Sequence, residues 1–118
     1  FTGMIFDYVA TSERCMRGDT PPYPLFRGVM PSWDNTARRQ NDGHIFIRSD
    51  PERYKLWLRH MVDKTRQFHV GEERVLFVNA WNEWAEGAYL EPDRKYGRQY
   101  LEATRAALLQ ESGAVRGT

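Results

Sequence analysis

The sequence lacks several features that point to particular classes of protein. Cys15 is its single cysteine, which excludes an internal disulfide framework and is typical of a reducing compartment, so we expect a cytoplasmic protein. No apolar run approaches the roughly 18 residues that a membrane-spanning helix needs. There is no excess of one charge either, since 17 basic and 16 acidic residues give a net charge of +1. We therefore expect no nucleic-acid partner and no membrane span.

Signatures of metal and nucleotide binding are also missing. His44, His60 and His69 do not have the spacing of metal ligands, and no carboxylate joins them in a recognisable cluster. There is no glycine-rich loop of the kind that holds phosphates. We therefore predict no metal ion and no cofactor for this chain.

The apolar segments that are present predict short strands. Residues 75–78 form a continuous apolar run, typical of a parallel strand buried on both faces. Residues 25–33 are a second candidate strand, and residues 45–47 predict a brief strand or a packed loop. Residues 4–10 have no clear period, so we expect a loop there that leads into a short helix, in which Cys15 and Met16 pack.

Two segments have the periodicity of amphipathic helices. The first begins at Pro51, with Ser49 or Asp50 as its cap. Its predicted inward face consists of Tyr54, Trp57, Leu58, Met61, Val62, Thr65 and Phe68. This helix covers the strands, which favours a core role for Trp57 over ligand binding. The second helix is predicted over 98–110, and Gly113 is the signal that stops it. Its predicted inward residues are Tyr100, Leu101, Thr104 and Leu108.

Polar and acidic residues follow the 75–78 strand immediately, where barrel enzymes carry their catalytic groups. Glu83 and Glu86 are three residues apart, so they share one site only if the chain turns between them. Gly87 allows a tight turn through a positive φ. Two carboxyl groups about 5–5.5 Å apart suit a retaining glycoside hydrolase, in which one stays ionised and the other, with a raised pKa, protonates the leaving oxygen.

The side chains around this pair are those of a sugar-binding site. Trp81 and Trp84 can stack on the apolar faces of sugar rings. The alternative is that they are core aromatics and that the glutamates form a solvated rim. The remaining polar candidates could orient the carboxylates or bind sugar hydroxyls: Asn79, Asn82, Tyr89 and Glu91. A structural role for Glu91 stays open.

A second polar cluster follows the 25–33 strand. Trp33, Asp34 and Arg38 are candidates for substrate contacts through stacking and hydrogen bonds to hydroxyls. Strands that end in polar groups at the same edge of a sheet place those groups in one cleft. The alternative is that Asp34 caps a turn and pairs with Arg38 on the surface.

The motif Asn-Glu-Trp-Ala-Glu-Gly-Ala-Tyr-Leu-Glu-Pro-Asp at 82–93 closely resembles the WbsX-type glycosyltransferase family of bacteria, as do residues 27–30 and 33–38. That family is similar to the family-99 glycoside hydrolases, the endo-α-mannosidases and endo-α-mannanases. The resemblance implies that Glu83 acts as a base on the sugar 2-hydroxyl and Glu86 as acid/base at the glycosidic oxygen. Those hydrolases typically carry a histidine where this chain has Ala85, so the substrate or the reaction can differ.

The order of predicted elements is strand, helix, strand, helix, which is typical of parallel β/α units. A complete (β/α)8 TIM-type barrel needs eight units and about 250 residues. The predicted fold class is therefore α/β. Together with the resemblance, this order indicates that residues 1–118 are the carboxyl-terminal β/α units of such a barrel, a partial domain on which the rest of the same catalytic domain packs.

The functional prediction is a carbohydrate-active enzyme that acts on the glycosidic bonds of a polysaccharide or oligosaccharide, most like a retaining glycoside hydrolase with a glutamate pair. One alternative, implied by the resemblance, is a sugar-nucleotide-dependent glycosyltransferase in bacterial cell-surface polysaccharide biosynthesis, such as that of the lipopolysaccharide O-antigen. The other is a non-catalytic glycan-binding module that uses the tryptophans.

Overall fold

The structure, a computed structural model, describes residues 1–109, which form short strands joined by helices. The strands are β1 Met4–Asp7, β2 Arg27–Val29, β3 His44–Ile47, β4 Leu76–Val78, β5 Asn82–Glu83 and β6 Ala88–Tyr89. The helices are α1 Tyr8–Arg17, α2 Thr36–Arg39, α3 Pro51–Phe68 and α4 Gln99–Leu109. Single 3-10 turns cover Gln40–Asp42, Gly71–Glu73 and Trp84–Glu86.

The strands form three separate two-stranded sheets. β1 pairs with β3 and β2 pairs with β4, both in parallel, whereas β5 and β6 form an antiparallel hairpin. The chain passes through α3 on its way from β2 to β4, as the crossover between parallel strands requires. The predicted α/β class is therefore confirmed. Within residues 1–109 the sheets do not close into a barrel.

Helix α3 forms the centre of the hydrophobic core, as its periodicity predicts. The Asp50 carboxylate accepts a hydrogen bond from the Arg53 N–H at 2.8 Å, which caps the helix just before Pro51. The predicted inward residues are buried, Trp57 among them, with one exception. Phe68 is 46% exposed because it is the last residue of the helix.

Helix α4 packs on α3 largely through small side chains. Tyr100, Ala103 and Ala107 are buried in the core. The prediction that Leu108 faces inward is wrong, since it is 47% exposed. The buried stripe instead runs through the alanines, whose small volume lets two helices approach closely. The predicted helix end at Gln110 and its stop at Gly113 lie outside the described residues.

The amino-terminal segment contains a strand where a loop is predicted. β1 pairs with β3 from Met4↔His44 to Asp7↔Ile47, a contact between distant parts of the chain. Met4 and Ile5 are both exposed, so the segment has no inside–outside alternation that would indicate a strand. The helix that follows is as predicted, and Met16 packs on the core, but Cys15 is exposed rather than packed.

The two strands that lead to the candidate site are shorter or less buried than predicted. The 25–33 segment is a strand only over Arg27–Val29, between Pro24 and Pro31, which have no N–H to donate. β4 has Leu76 and Val78 packed against the core, but Phe77 is 61% exposed. Burial on both faces is therefore wrong for β4, because α3 covers one face and no other described element covers the second.

Candidate active site

The acidic motif folds into a tight hairpin directly after β4. Glu83 ends β5, the 3-10 turn Trp84–Glu86 follows, and Ala88 begins β6. Gly87 closes the turn with φ +61°, the left-handed conformation that its sequence position suggests. The chain therefore turns between Glu83 and Glu86, which is the condition for the two carboxylates to serve one site.

Two hydrogen bonds join this hairpin to the segment that follows β2. The Asp34 N–H donates to the Glu86 carbonyl at 2.8 Å, and the Ser32 hydroxyl donates to the Gly87 carbonyl. The polar residues that follow β2 and those that follow β4 thus lie side by side, although more than 45 positions separate them in the chain.

Arg38 forms an ion pair with one of the two candidate catalytic carboxylates. Its Nη1 lies 3.4 Å from Glu86 Oε1, and the two side chains are 59% and 24% exposed. Exposed ion pairs contribute only about 0–1 kcal/mol to stability, so this contact matters more for the placement of the two groups than for the fold. Asp34 does cap a turn, because its Oδ1 accepts from the N–H and hydroxyl of Thr36 at 3.0 and 2.6 Å. The Asp34–Arg38 ion pair of the alternative interpretation is not formed, since Arg38 contacts Glu86 instead.

The aromatic side chains of the hairpin form a connected group. The rings of Trp84 and Tyr89 stack with their centroids 3.7 Å apart and their planes 16° apart. The Trp84 indole N–H donates to Glu91 Oε1 at 2.7 Å, and the Tyr89 hydroxyl donates to Asp93 Oδ2 at 2.9 Å. Burial, helped by the Asp93 carboxylate, raises the pKa of Tyr89 to about 12, so this hydroxyl remains a donor at neutral pH.

A pocket of about 480 Å³ lies between the hairpin, the residues after β2 and the loop before α4, and we call it the hairpin pocket. Four predicted substrate-binding residues line it: Trp33, Asp34, Trp84 and Tyr89. Gly87 also lines it, so Glu86 adjoins its wall. A pocket of about 540 Å³ between α3 and α4 contains none of the predicted site residues. We therefore centre the candidate site on the hairpin pocket, whose volume suits a small ligand.

The other predicted site residues lie outside this pocket. Asn79 is at the end of β4, where its N–H donates to the Val29 carbonyl at 2.9 Å, and the peptide bond that follows it is cis. The Trp81 carbonyl accepts the N–H groups of Leu90 and Glu91 at 3.0 and 3.3 Å, while its side chain is 53% exposed. Asn82 and Glu83 are exposed on β5.

The hairpin pocket also contains polar residues that are not among the predicted site residues: Ser49, Asp93, Lys95 and Tyr96. Asp93 Oδ1 accepts the Tyr96 N–H at 2.7 Å, which folds the loop back on the hairpin. Asp93 is the last residue of the acidic motif, and Lys95 and Tyr96 follow it closely; this position is the only local signal for these three residues. Residues 1–109 contain no cluster of three or more His, Cys, Asp or Glu side chains suited to a metal ion. Over the same range, every helix is too short or too polar to cross a bilayer.

Comparison with known proteins places this chain in a family. Residues 1–104 match the family described as "Glycosyltransferase WbsX". Two curated relatives, each named "Uncharacterized protein WxcX", come from Xanthomonas campestris pv. campestris strains B100 and ATCC 33913 and are 42% and 41% identical over 108 residues. These alignments cover 92% of this chain but only 16% of each relative. No solved structure matches. The extent of the family match and the identity to both relatives show that this chain belongs to the WbsX glycosyltransferase family.

Proposed function

We propose that this chain supplies the catalytic glutamates of a carbohydrate-active enzyme that cleaves glycosidic bonds, in the manner of a retaining family-99 glycoside hydrolase. The observation that carries the proposal is the hairpin, which turns the chain between Glu83 and Glu86 and holds Glu86 against the segment of Trp33 and Asp34. Membership of a glycosyltransferase family supports carbohydrate chemistry. The stacked ring pair and the pocket beside it support a sugar as the ligand.

The two glutamates have different roles in this mechanism. Glu83 takes the proton of the sugar 2-hydroxyl as its oxygen attacks the anomeric carbon, and Glu86 protonates the glycosidic oxygen as that bond breaks. Water then attacks the anomeric carbon of the 1,2-anhydro sugar, Glu86 takes a proton from this water, and Glu83 returns its proton to the sugar 2-oxygen. Glu83 is exposed on β5, open to a substrate. Glu86 is largely covered and contacts Arg38, so its position is more restricted. The guanidinium of Arg38 is itself exposed and can donate to sugar hydroxyls beside Glu86.

The proposal is tested by glycan cleavage with the full-length protein that carries this chain, on α-mannan and bacterial surface polysaccharides, without any sugar nucleotide. We expect Glu86→Gln and Glu83→Gln to lower kcat by about 10²–10⁴-fold, the usual contribution of one general acid or base. Glu72→Gln is the matched control, because Glu72 is exposed on the turn before β4 and away from the pocket. Release of oligosaccharides that both site variants leave unchanged contradicts the proposal.

Two other functions have different outcomes in the same assay. Transfer is the second candidate, because the family carries a glycosyltransferase name. It predicts no release from the glycans alone and product formation only after a sugar nucleotide is added. A glycan-binding module predicts that Glu83→Gln leaves binding, its only activity, intact.

A further inference from the structure

The lining of the hairpin pocket identifies a second part of the site, beyond the glutamate pair. We propose that this pocket is the sugar-binding subsite next to Glu86 and that it takes an uncharged pyranose residue of the glycan. The inference rests on the proposed function, because it takes Glu86 as the group that meets the glycosidic oxygen. The backbone of Glu86 adjoins the pocket wall, because Gly87 lines the pocket and the Glu86 carbonyl accepts the Asp34 N–H.

Aromatic rings supply the apolar surface that such a sugar needs. Trp84 and Tyr89 stack on each other, so each has one ring face left for other contacts. Trp33 and Tyr96 line the same pocket, and Trp33 is half-buried. Its indole N–H makes no hydrogen bond to any described residue, which leaves it free to donate to a ligand. Pyranose rings carry an apolar face beside their hydroxyls, and ring faces with polar edges suit that mixture.

Polar groups with unused hydrogen-bonding capacity lie beside these rings. Asp34 uses Oδ1 for both hydrogen bonds from Thr36, and its Oδ2 accepts none from the described residues. Lys95 Nζ lies 5.1 Å from the centroid of the Tyr96 ring and forms no ion pair within residues 1–109. One carboxylate oxygen and one ammonium group can therefore accept from and donate to the hydroxyls of one sugar.

The charges of the pocket favour an uncharged ligand. Asp34 and Asp93 are negative and Lys95 is positive, so the lining carries a net charge of −1. Asp93 is already committed, because it accepts from the Tyr89 hydroxyl and the Tyr96 N–H, and we regard it as a positioning residue. A sugar with a carboxylate meets two negative groups and one positive group there, and like charges at close range disfavour binding.

The test measures binding to the full-length Glu86→Gln variant by isothermal titration calorimetry, so that turnover does not interfere. The probes are three uncharged trisaccharides, namely α-linked mannotriose, maltotriose and rhamnotriose, and one anionic trisaccharide, tri-galacturonic acid. Asp34→Asn, added to Glu86→Gln, keeps the Oδ1 acceptor for Thr36 but replaces Oδ2 with an amide group. We expect it, and separately Lys95→Gln, to raise Kd by about 10-fold or more, because each removes a charge-assisted hydrogen bond.

Two matched variants serve as controls. Asp42→Asn makes the same carboxylate-to-amide change at an exposed site paired with Arg39. Lys55→Gln removes a lysine from the pocket between α3 and α4. Neither control should change Kd, and circular dichroism checks that all variants are folded.

The outcomes separate this inference from the proposed function. Failure of all three uncharged probes to bind, tighter binding of tri-galacturonic acid, or Kd values unchanged by Asp34→Asn and Lys95→Gln overturn the subsite. If the glycans are cleaved but the pocket variants leave KM unchanged, the hydrolase stands and the subsite fails. If trisaccharides bind as expected but nothing is cleaved, the subsite stands and hydrolysis fails.

Discussion

Gly87 is the residue at which the hairpin that carries Glu83 and Glu86 meets the segment after β2. Its φ is +61°, and an added Cβ would lie 2.8 Å from the Asp34 nitrogen and 3.0 Å from the Asp34 oxygen. Gly97 has nearly the same φ, +58°, but no described heavy atom lies within 4 Å of an added Cβ. The two glycines therefore share the same backbone requirement and differ only in their surroundings.

This difference predicts unequal effects of substitution by alanine. Gly97→Ala should lower the free energy of unfolding by about 1–2 kcal/mol, because a residue with a Cβ is strained in the left-handed conformation. Gly87→Ala should lower the melting temperature further and reduce kcat/KM by about 10-fold or more, because Asp34 must move and with it the contact to Glu86. Thermal melts and glycan cleavage by the full-length protein measure both effects. Equal losses in the two variants would contradict this account.

Asp7 predicts a pH dependence of stability. It caps α1 by accepting the Val9 N–H at 2.9 Å and pairs with Arg48. The hydrogen bonds from Arg48 lower the pKa of Asp7. A carboxyl group whose folded pKa is lowered stabilises the fold at pH above its unfolded pKa of about 3.9, and this contribution is lost as pH falls through the lowered folded value.

Asp7→Asn isolates that contribution, because the amide oxygen can still accept from Val9 while the charge is gone. The native protein should melt at a higher temperature than the variant at neutral pH. The two melting temperatures should converge as the medium is acidified below the folded pKa of Asp7. Melting curves between neutral and acidic pH measure the difference. A constant difference over the whole range would show that Asp7 does not act through its charge.

At the scale of elements, the α3–α4 contact contains a hydrogen bond with a defined direction. The Thr104 hydroxyl donates to the Tyr100 carbonyl at 2.8 Å, so the Tyr54 hydroxyl, 2.8 Å away, must be the donor to Thr104. Tyr54 is fully buried, and burial raises its pKa. The two ends of this hydrogen bond are therefore not equivalent to mutation.

Removal of the acceptor should cost more than removal of the donor. Thr104→Val leaves the buried Tyr54 hydroxyl without a partner, which should lower the free energy of unfolding by about 1–3 kcal/mol. Tyr54→Phe loses only a hydrogen bond, which should lower the free energy of unfolding by about 0.5–1.5 kcal/mol. Urea unfolding of the full-length protein measures the stability loss of both variants, and their midpoints can be compared if the m-value is unchanged. The reverse order of the two midpoints would refute the assigned direction.

The accuracy of sequence-based prediction differs between helices and strands for physical reasons. α3 carries its own signals, since the Asp50 cap, Pro51 and the apolar stripe are all local. β1, β5 and β6 are two to four residues long, too short to show a period, and β1 exists only through its pairing with distant β3. The prediction that Leu108 faces inward is wrong because the sequence pattern does not reveal that α4 packs through alanines.

The candidate site shows the same division. The turn at Gly87 and the aromatic residues of the motif could be predicted from local spacing and from the family resemblance. The contact between Arg38 and Glu86 could not, because it joins residues 48 positions apart. The place of Lys95 and Tyr96 in the site could not be predicted for a similar reason, since their loop becomes part of the pocket only when Asp93 folds it back.

At the scale of the whole molecule, apolar side chains of the strands are left uncovered by residues 1–109. Ile5 on β1 and Phe77 on β4 are each 61% exposed. The chain spans 16% of the length of its curated relatives, so those relatives have much more sequence that can cover such side chains. We propose that residues 1–118 are part of a larger (β/α)8 catalytic domain and that the rest of this domain packs on these strands.

The proposal predicts that the isolated 118 residues self-associate, because exposed apolar side chains and unpaired strand edges attract other copies. Ile5→Lys and Phe77→Lys together should shift the isolated chain toward monomer in native mass spectrometry. The same pair of substitutions should destabilise the full-length protein, because it would bury two charges there. Leu56→Lys is the matched control, since Leu56 is 62% exposed but lies on α3, and it should do neither. An unmutated isolated chain that is monomeric and melts cooperatively would show that these residues fold without a covering partner. The exposed side chains of the strands would then belong to the surface of a small independent domain.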